Sequence, residues 1–388
     1  MRKIKIEFER IVIAVMLISV FACSTVIFAQ DDMIDAIRRG DLKAMQEQIK
    51  NKIDLNAQDD NGATYLMLAV SMGNKDAAQV LLDGGANPNI KDNMSQTAIG
   101  FAVDNNSSDI VRMLLKAGAD PNGKGKEGGA LTQFACNGRM EMFRELLNVA
   151  KDINVGGNNM GDTPLICAAR NMHIEIVRLL LAKKADIKMR NSSGDTALMV
   201  ANSVDIVHEL LKANGGLELK NSQGWTPVIY AAIRRDIKIL EVFIKAGADI
   251  GVRENSGRTA LMGAAAVAKI DNMKALIRAN AEVNAVDKDG KTALILAAAN
   301  EQIPNMDKVI LELVRSGAAV NAKDSKGDTA LLYAASSASE NAEEMVKILI
   351  DAGADVNVKD TNGKTALSQA EKNGYTEIAK ILKEHGAK

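Results

Sequence analysis

The chain has 388 residues, a formal net charge of −1 and only 3% aromatic residues. Because this length exceeds that of a usual compact domain, we expect several domains or a repeat array. The balanced charge gives no field that would favour nucleic acid or an anionic membrane as a partner. The scarcity of aromatic residues favours thin stacked helices, filled with Ala, Leu, Ile and Val, over one large globular core.

Residues 1–29 are typical of a secretory signal peptide. A basic-led head, MRKIKIEFER, precedes an uninterrupted apolar run over residues 11–28, and Ala29 stands directly before a polar segment that begins at Gln30. We expect cleavage after Ala29. Removing four Lys/Arg and two Glu with this leader leaves 44 basic and 47 acidic residues, a net charge of −3.

Two other fates of the leader stay open. Its apolar run of 18 residues is near the lower limit for a bilayer span, so an uncleaved anchor is one alternative. Cys23, preceded by Val20-Phe21-Ala22, loosely resembles a bacterial lipoprotein box in which the cysteine is lipidated, although Phe21 fits that box poorly. We therefore expect a periplasmic or secreted bacterial protein, with a membrane-anchored protein or a lipoprotein as alternatives, and no membrane contact beyond the leader.

A hexapeptide of the form x-G-x-T-x-L recurs along the rest of the chain. Its glycine lies at Gly62, Gly128, Gly161, Gly194, Gly224, Gly257, Gly290, Gly327 and Gly363, and Ser95 replaces it in the second repeat. A threonine follows two residues later in nine of these ten repeats; the third, at Gly128, lacks it and is one residue short. Most steps are 33 residues, which indicates a repeat protein. The repeats are numbered here one to ten by this glycine.

One repeat can be interpreted from its own residues. In the fourth, Thr163 and Pro164 suit the first turn of a helix, because Thr caps free N–H groups and Pro needs none. Residues 165–169 give a short helix with a small-residue face, and the apolar residues of 176–181 recur at the spacing of a second helix. The Asp-x-x-Gly that follows predicts a tight turn between repeats.

The segment GDTPLICAARNMHIEIVRLLLAKKAD (161–186) resembles the ankyrin repeat nearly position by position, and the resemblance covers residues 31–388. It implies an all-α solenoid of helix-turn-helix units with short β-hairpin fingers and with N- and C-terminal capping repeats. It also implies that partners bind to the finger tips and to the exposed face of the first helices, which line a concave groove.

Within this scheme, residues 30–59 form an N-terminal capping repeat, residues 60–364 form the array, and residues 365–388 are the C-terminal capping helices of the last repeat. Three repeats are irregular at the junction between their helices. The fifth lacks three residues around Asn202-Ser203, whereas the eighth and ninth carry extra residues in 300–308 and 336–344.

Catalytic and metal-binding patterns are missing from the sequence. His173, His208 and His385 lie in different repeats, without a second ligand at metal-binding spacing. Asp287-Lys288-Asp289-Gly290 resembles the middle of a calcium loop, but Leu296 stands where that loop needs a glutamate, so we interpret these aspartates as turn formers. We expect no enzyme, cofactor or metal; a hidden enzymatic site and a small-molecule or metal carrier are the alternatives.

Cys136 and Cys167 lie in adjacent repeats. Stacked helices lie about 8–10 Å apart, and a disulfide needs Cα atoms within about 7 Å. We therefore expect two free thiols.

Large apolar side chains occur at three predicted finger tips, where stacking does not require them: Met94, Met160 and Trp225. Trp225 is the only tryptophan, and we expect Ile233, Arg234, Arg258 and Val267 around it on the exposed helix faces. An apolar centre flanked by arginines is typical of an interface core. The alternative is that Trp225 folds onto the neighbouring hairpin as structural cover.

The sequence thus predicts an exported, monomeric scaffold that binds a protein partner, mainly in the groove of the sixth and seventh repeats. A secreted effector acting on host proteins is the alternative role.

Overall fold

A computed structural model of the protein describes residues 32–126, 128–234 and 237–388. The predicted signal peptide, its cleavage at Ala29 and the possible lipidation of Cys23 lie outside the described residues. None of the helices in the described ranges combines the length and the apolar character that crossing a membrane requires.

The chain divides into two compact units, one ending at Ala168 and the other spanning Ala169–Lys388. Both are built from pairs of short helices. The first unit contains α1 (residues 32–39), α2 (Leu42–Lys50), α3 (Tyr65–Ser71), α4 (Lys75–Asp83), α5 (Ala98–Asp104), α6 (Ser108–Lys116), α7 (Ala130–Asn137) and α8 (Met140–Val149), and α9 (Pro164–Arg170) contains the boundary.

The second unit continues the same alternation of a first and a second helix. It contains α10 (Ile174–Ala182), α11 (Ala197–Val200), α12 (Val204–Lys212), α13 (Pro227–Arg234), α14 (Ile237–Lys245), α15 (Ala260–Ala266), α16 (Ile270–Arg278), α17 (Ala293–Ala298), α18 (Met306–Arg315), α19 (Ala330–Ser336), α20 (Ala342–Asp351), α21 (Ala366–Asn373) and α22 (Thr376–Glu384).

The recurring threonine caps the first helix of most repeats, as predicted. In the fourth repeat the Thr163 hydroxyl accepts a hydrogen bond from the Ile166 N–H at 3.3 Å. The equivalent bond forms at Thr64, Thr259, Thr292, Thr329 and Thr365. In the part of the chain that the structure describes, the hydroxyls of Thr97, Thr196 and Thr226 have no hydrogen-bond partner.

Helices pack in two layers within each unit. In the second unit α13, α15, α17, α19 and α21 pack in series, and α12, α14, α16, α18, α20 and α22 form the other layer. The first helices bring buried alanines to their contacts, such as Ala231, Ala264 and Ala297, so that neighbouring backbones approach closely. Larger side chains, including Leu240 and Phe243, fill the space between the layers. The all-α repeat architecture is confirmed.

The aspartates of the Asp-x-x-Gly segments form the turns, which confirms their interpretation as turn formers. Asp287 Oδ1 accepts hydrogen bonds from the backbone N–H groups of Asp289 at 3.0 Å and Lys291 at 2.9 Å. The same two bonds recur at Asp59, Asp92, Asn158, Asn191, Asn221, Glu254, Asp324 and Asp360.

The fingers are mostly tight turns rather than paired strands. Within the described ranges, a strand pair forms only in the third repeat, where β1 (Lys124–Gly125) pairs antiparallel with β2 (Gly128–Gly129). Elsewhere neighbouring fingers share single backbone hydrogen bonds, such as the one from the Asn255 N–H to the Gln223 carbonyl at 3.1 Å.

The prediction of two free thiols was wrong, because Cys136 on α7 and Cys167 on α9 form a disulfide with their Cα atoms 4.9 Å apart. The distance of about 8–10 Å between stacked helices is measured between their axes. Each Cα lies about 2.3 Å from its own axis, so residues on the facing sides of adjacent helices come much closer than the axes do. The disulfide joins the third repeat, whose first helix begins after Gly129 instead of a threonine, to the fourth.

Candidate functional site

Trp225 forms the centre of a cluster on one face of α13. The Trp225 side chain is half-buried, and its backbone N–H donates to Asn221 Oδ1 at 2.9 Å. Tyr230 and Arg234 lie four residues apart on α13 and therefore share a face. The Trp225 and Tyr230 rings meet edge to face with centroids 6.0 Å apart, and the Arg234 guanidinium carbon lies 5.2 Å from the Trp225 centroid and 5.6 Å from that of Tyr230.

Arg234 is exposed, and no carboxylate among the described residues pairs with it; Arg235 and Asp236 lie outside them. A guanidinium that stacks on aromatic rings keeps its N–H groups available for hydrogen bonds in its own plane. The first helix of the fifth repeat does not extend to the equivalent position. The register positions of Ile233 and Arg234 correspond in the fifth repeat to Ser203 and Val204, at the start of α12, because α11 is only four residues long.

Ile233 and Val267 lie on the same side of the sixth and seventh repeats. Ile233 is half-buried and packs over Gly263 of α15: a Cβ atom built at Gly263 would lie 2.7 Å from both Cδ1 and Cγ1 of Ile233. Val267 is half-buried at the C-terminal end of α15. The two side chains therefore border a helix surface made of glycine and alanine.

Arg258 is engaged within the protein. Its Nε donates to Asp287 Oδ2 at 3.2 Å, and the Asp287 side chain is only 1% exposed. The ion pair connects the seventh finger to the turn of the eighth. The structure thus places Arg258 beside the predicted site but uses its charge to hold two fingers together.

The register of the repeats identifies residues that the sequence prediction missed. Trp225, Arg258, Lys291 and Asp328 each directly precede the recurring threonine of their repeat, and Tyr230, Gly263, Leu296 and Tyr333 each follow it by four residues. Together with Ile233, Arg234 and Val267, these two rows define what we call the α13–α19 strip. Tyr230 and Tyr333, three repeats apart, occupy the same position, a recurrence that alignment of the repeats would have shown.

At the far end of the strip, Tyr333 links several charged groups. Its hydroxyl donates to Asp324 Oδ2 at 2.9 Å, and Lys291 Nζ lies 4.8 Å from its ring centroid. Burial, together with the hydrogen bond to Asp324, raises the pKa of the Tyr333 hydroxyl, so this group stays protonated and continues to donate.

Asp328 lies beside this group and is half-buried. Burial, followed by the charges of Asp324 and Asp360, raises the pKa of the Asp328 carboxyl. No hydrogen bond or ion pair to this carboxylate forms within the described ranges, although its backbone N–H donates to Asp324 Oδ1 at 2.9 Å.

Met94 and Met160 belong to the first unit, whereas the Trp225 cluster belongs to the second. Met94 is 74% exposed and Met160 is 50% exposed. Met94 lines a cavity of about 440 Å³ together with Phe101 and Asp104. Phe101 follows Thr97 by four residues and so holds in the second repeat the position of Tyr230.

Two of the three histidines lie at helix ends. His173 occupies the N-cap position of α10, and His385 Nδ1 lies 2.8 Å from the Ile381 carbonyl oxygen. Within the described residues, no group of three or more His, Cys, Asp or Glu side chains is placed to hold a metal ion.

Comparison with known families decides the classification. A family model describing three ankyrin repeats matches residues 33–125, 122–191, 183–254, 232–324 and 303–388. The chain belongs to the ankyrin-repeat family. Ankyrin repeats generally mediate protein–protein interaction, and members of the family are typically non-enzymatic scaffolds.

Two curated ankyrin-repeat relatives match shorter stretches. The chain is 33% identical over 118 residues to the B-cell lymphoma 3 protein homolog of Mus musculus, covering 29% of this chain and 26% of that protein. It is 28% identical over 91 residues to the ankyrin repeat-containing protein P1E11.10 of Schizosaccharomyces pombe, covering 23% of this chain and 44% of that protein. The chain thus spans less than half the length of either relative.

Proposed function

We propose that this ankyrin-repeat protein is an exported scaffold that binds a protein partner at the finger tips and first helices around Trp225, in the concave groove that the family architecture implies. The observation that carries the proposal is the stacked cluster of Trp225, Tyr230 and Arg234. Tryptophan, tyrosine and arginine are the residues most enriched among interface hot spots.

The arrangement favours binding over structural cover alone. Tyr230 is 7% exposed and belongs to the packed helix, but Trp225 is half-buried and Arg234 is exposed. A rigid aromatic surface beside an unpaired guanidinium offers a partner apolar area and hydrogen-bond donors at small cost in side-chain entropy.

A capture experiment tests this proposal. The tagged chain is crosslinked in the envelope fraction of its source cells, and captured proteins are quantified by mass spectrometry. Trp225→Ala/Arg234→Ala should lose the specific partner at least tenfold. The control Arg278→Ala/Tyr375→Ala removes an arginine and an aromatic ring away from the strip and should retain it. Equal capture by both double variants, with the fold intact by circular dichroism, refutes the site.

Export is part of the same proposal, and two features support it. The leader pattern is typical of a signal peptide, and structural disulfides such as Cys136–Cys167 persist mainly in oxidising compartments outside the cytosol. Intact-mass analysis of the protein from its source cells should find a chain that begins at Gln30 and contains no free thiol. A mass that includes residues 1–29 without lipid would indicate an uncleaved anchor instead.

A further inference from the structure

Resting on this proposed function, we propose that the α13–α19 strip binds an extended segment of its protein partner that carries an acidic group at one end and a basic group at the other. The acidic group lies at Arg234 and the basic group at Asp328, with a small or apolar stretch between them.

The charges along the strip differ in whether they already have a partner. Arg258 is paired with the buried Asp287, and Lys291 lies over the Tyr333 ring. Arg234 and Asp328, by contrast, meet no opposite charge at hydrogen-bonding distance among the described residues. The strip thus ends in an available cation on α13 and an available anion just before α19.

Each end suits one kind of group. The Arg234 guanidinium, held on two rings, presents its planar N–H groups to a carboxylate, the geometry in which arginine binds anions best. Asp324 and Asp360 act on the Asp328 carboxylate more strongly than the nearby cations Lys364 and Lys326 do. The balance of charge at this end therefore opposes a second anion and favours a lysine or arginine of the partner.

The length of the segment follows from the stacking of α13, α15, α17 and α19, which pack in series. Three steps between neighbouring helices at about 8–10 Å each give about 24–30 Å. An extended chain advances about 3.3–3.6 Å per residue. The two charged groups should therefore be about eight residues apart.

The surface between the ends limits what lies between the charges. Gly263, Val267 and Leu296 form its floor and offer neither a charge nor a side-chain hydrogen bond. The two cations beside this floor are already engaged, Arg258 with Asp287 and Lys291 with the Tyr333 ring. Alanine, glycine, valine or leucine in the partner segment fits this floor without leaving polar groups buried and unpaired.

Synthetic peptides test this inference directly. A bipolar peptide has two glutamates and two lysines separated by eight Ala/Leu/Gly residues; matched peptides carry glutamate at both ends, lysine at both ends, or the bipolar charges with a spacing of three. Binding is measured by anisotropy of a fluorescein label, and the emission of Trp225, the only tryptophan, reports contact at the strip. The bipolar peptide with the long spacing should bind at least tenfold more tightly than each of the others and should shift the Trp225 emission.

Charge-reversal variants test the inference more specifically. Arg234→Glu makes both ends acidic, so preference should change to the dilysine peptide; Asp328→Lys makes both ends basic, so preference should change to the diglutamate peptide. Arg278→Glu and Asp351→Lys introduce the same charges on exposed positions of α16 and α20 and should leave the preference unchanged.

Equal affinity for all peptides, absence of measurable binding by the bipolar peptide, or reversals that leave the preference unchanged would each overturn the inference. These results are distinguishable from failure of the proposed function. If Trp225→Ala/Arg234→Ala still abolishes capture of the natural partner, the strip is an interface of different chemistry; if capture is also unchanged, the proposed site itself is wrong.

Discussion

The guanidinium carbon of Arg234 lies 5.2 Å from the centroid of the Trp225 ring, so the only tryptophan of the chain is stacked beneath a cation. The row of residues that begins at Trp225 and the row that begins at Tyr230 extend this contact into a strip of four helices.

Replacing the Arg234 guanidinium while keeping an unbranched apolar side chain should change the fluorescence emission of Trp225 without unfolding the protein. Arg234→Met is expected to shift the Trp225 emission and to lower the free energy of unfolding by about 0.5–1 kcal/mol, the range of an exposed cation–π contact. Fluorescence and urea unfolding measure the two effects. Arg278→Met, on α16, should change neither; an unaltered Trp225 emission in Arg234→Met would show that the stacking does not persist in solution.

The Cys136–Cys167 disulfide should stabilise the first unit. It closes a loop with a sequence separation of 31 residues, for which loss of loop-closure entropy in the unfolded chain gives about 3–4 kcal/mol. Cys136→Ser/Cys167→Ser should therefore unfold at lower urea concentration, with faster hydrogen exchange in α7 and α9 than in α17 or α19. Reductant should destabilise the wild type and leave the double variant unaffected. Equal stability of oxidised and reduced wild type contradicts a stabilising role.

Two finger glycines at equivalent turn positions allow a matched comparison of Gly→Ala substitutions. Gly224 and Gly363 hold the same turn position with φ of +81° and +79°, where any L side chain is strained. A Cβ at Gly224 would also lie 2.8 Å from the Asn255 backbone nitrogen, whereas nothing lies within 4 Å of a Cβ at Gly363. Gly363→Ala should cost about 1 kcal/mol from φ strain, and Gly224→Ala about 2–3 kcal/mol because the clash is added. Thermal unfolding measures the difference, and equal costs contradict the close approach of the fingers.

Asp328 should make stability depend on pH in a defined direction. Burial, and then the neighbouring Asp324 and Asp360, raise its pKa above the ordinary 3.8, so the folded state binds its proton more tightly than the unfolded state does. The contribution of this group to the free energy of unfolding therefore falls as pH rises from about 3.8 through the raised value, and the loss is complete at neutral pH. Asp328→Asn removes this loss of stability, because asparagine does not ionise.

We expect Asp328→Asn to be more stable than wild type at pH 7, by about 0.5 kcal/mol or less as for other partly exposed sites, and equal to it below pH 3.8 in urea titrations. Asp351→Asn, whose carboxylate is exposed at the end of α20, serves as the control. A stability gain that is independent of pH would mean that the Asp328 charge is not its cause.

The sequence predicts the repeat fold well because each element carries its own local signal. Thr163 fixes a helix start by capping, and Asp287 fixes a turn by accepting two backbone N–H groups, interactions that span four residues or fewer. The Cys136–Cys167 disulfide was missed because it depends on which sides of two helices face each other, a relation that the distance between axes does not contain.

The candidate site was predicted only in part, for a similar reason. Trp225 and Arg234 stand out as unusual residues at exposed positions. Tyr230 resembles an ordinary core residue, and Asp328 resembles an ordinary turn residue, until the register places them in rows with Trp225 and Tyr333. Which charges remain available depends on contacts between neighbouring repeats, such as Arg258 with Asp287, and these follow from packing rather than from local pattern.

The most direct test of a partner-binding site at Trp225 is photocrosslinking from a position beside the strip. A photoreactive amino acid at Gln223, an exposed finger position two residues before Trp225, is compared in the source cells with the same amino acid at Arg278 on α16. We expect a discrete crosslinked protein from position 223 that disappears in Trp225→Ala/Arg234→Ala and does not form from position 278. The same product from both positions, or a product from position 223 that survives the double substitution, would contradict a partner-binding site at Trp225.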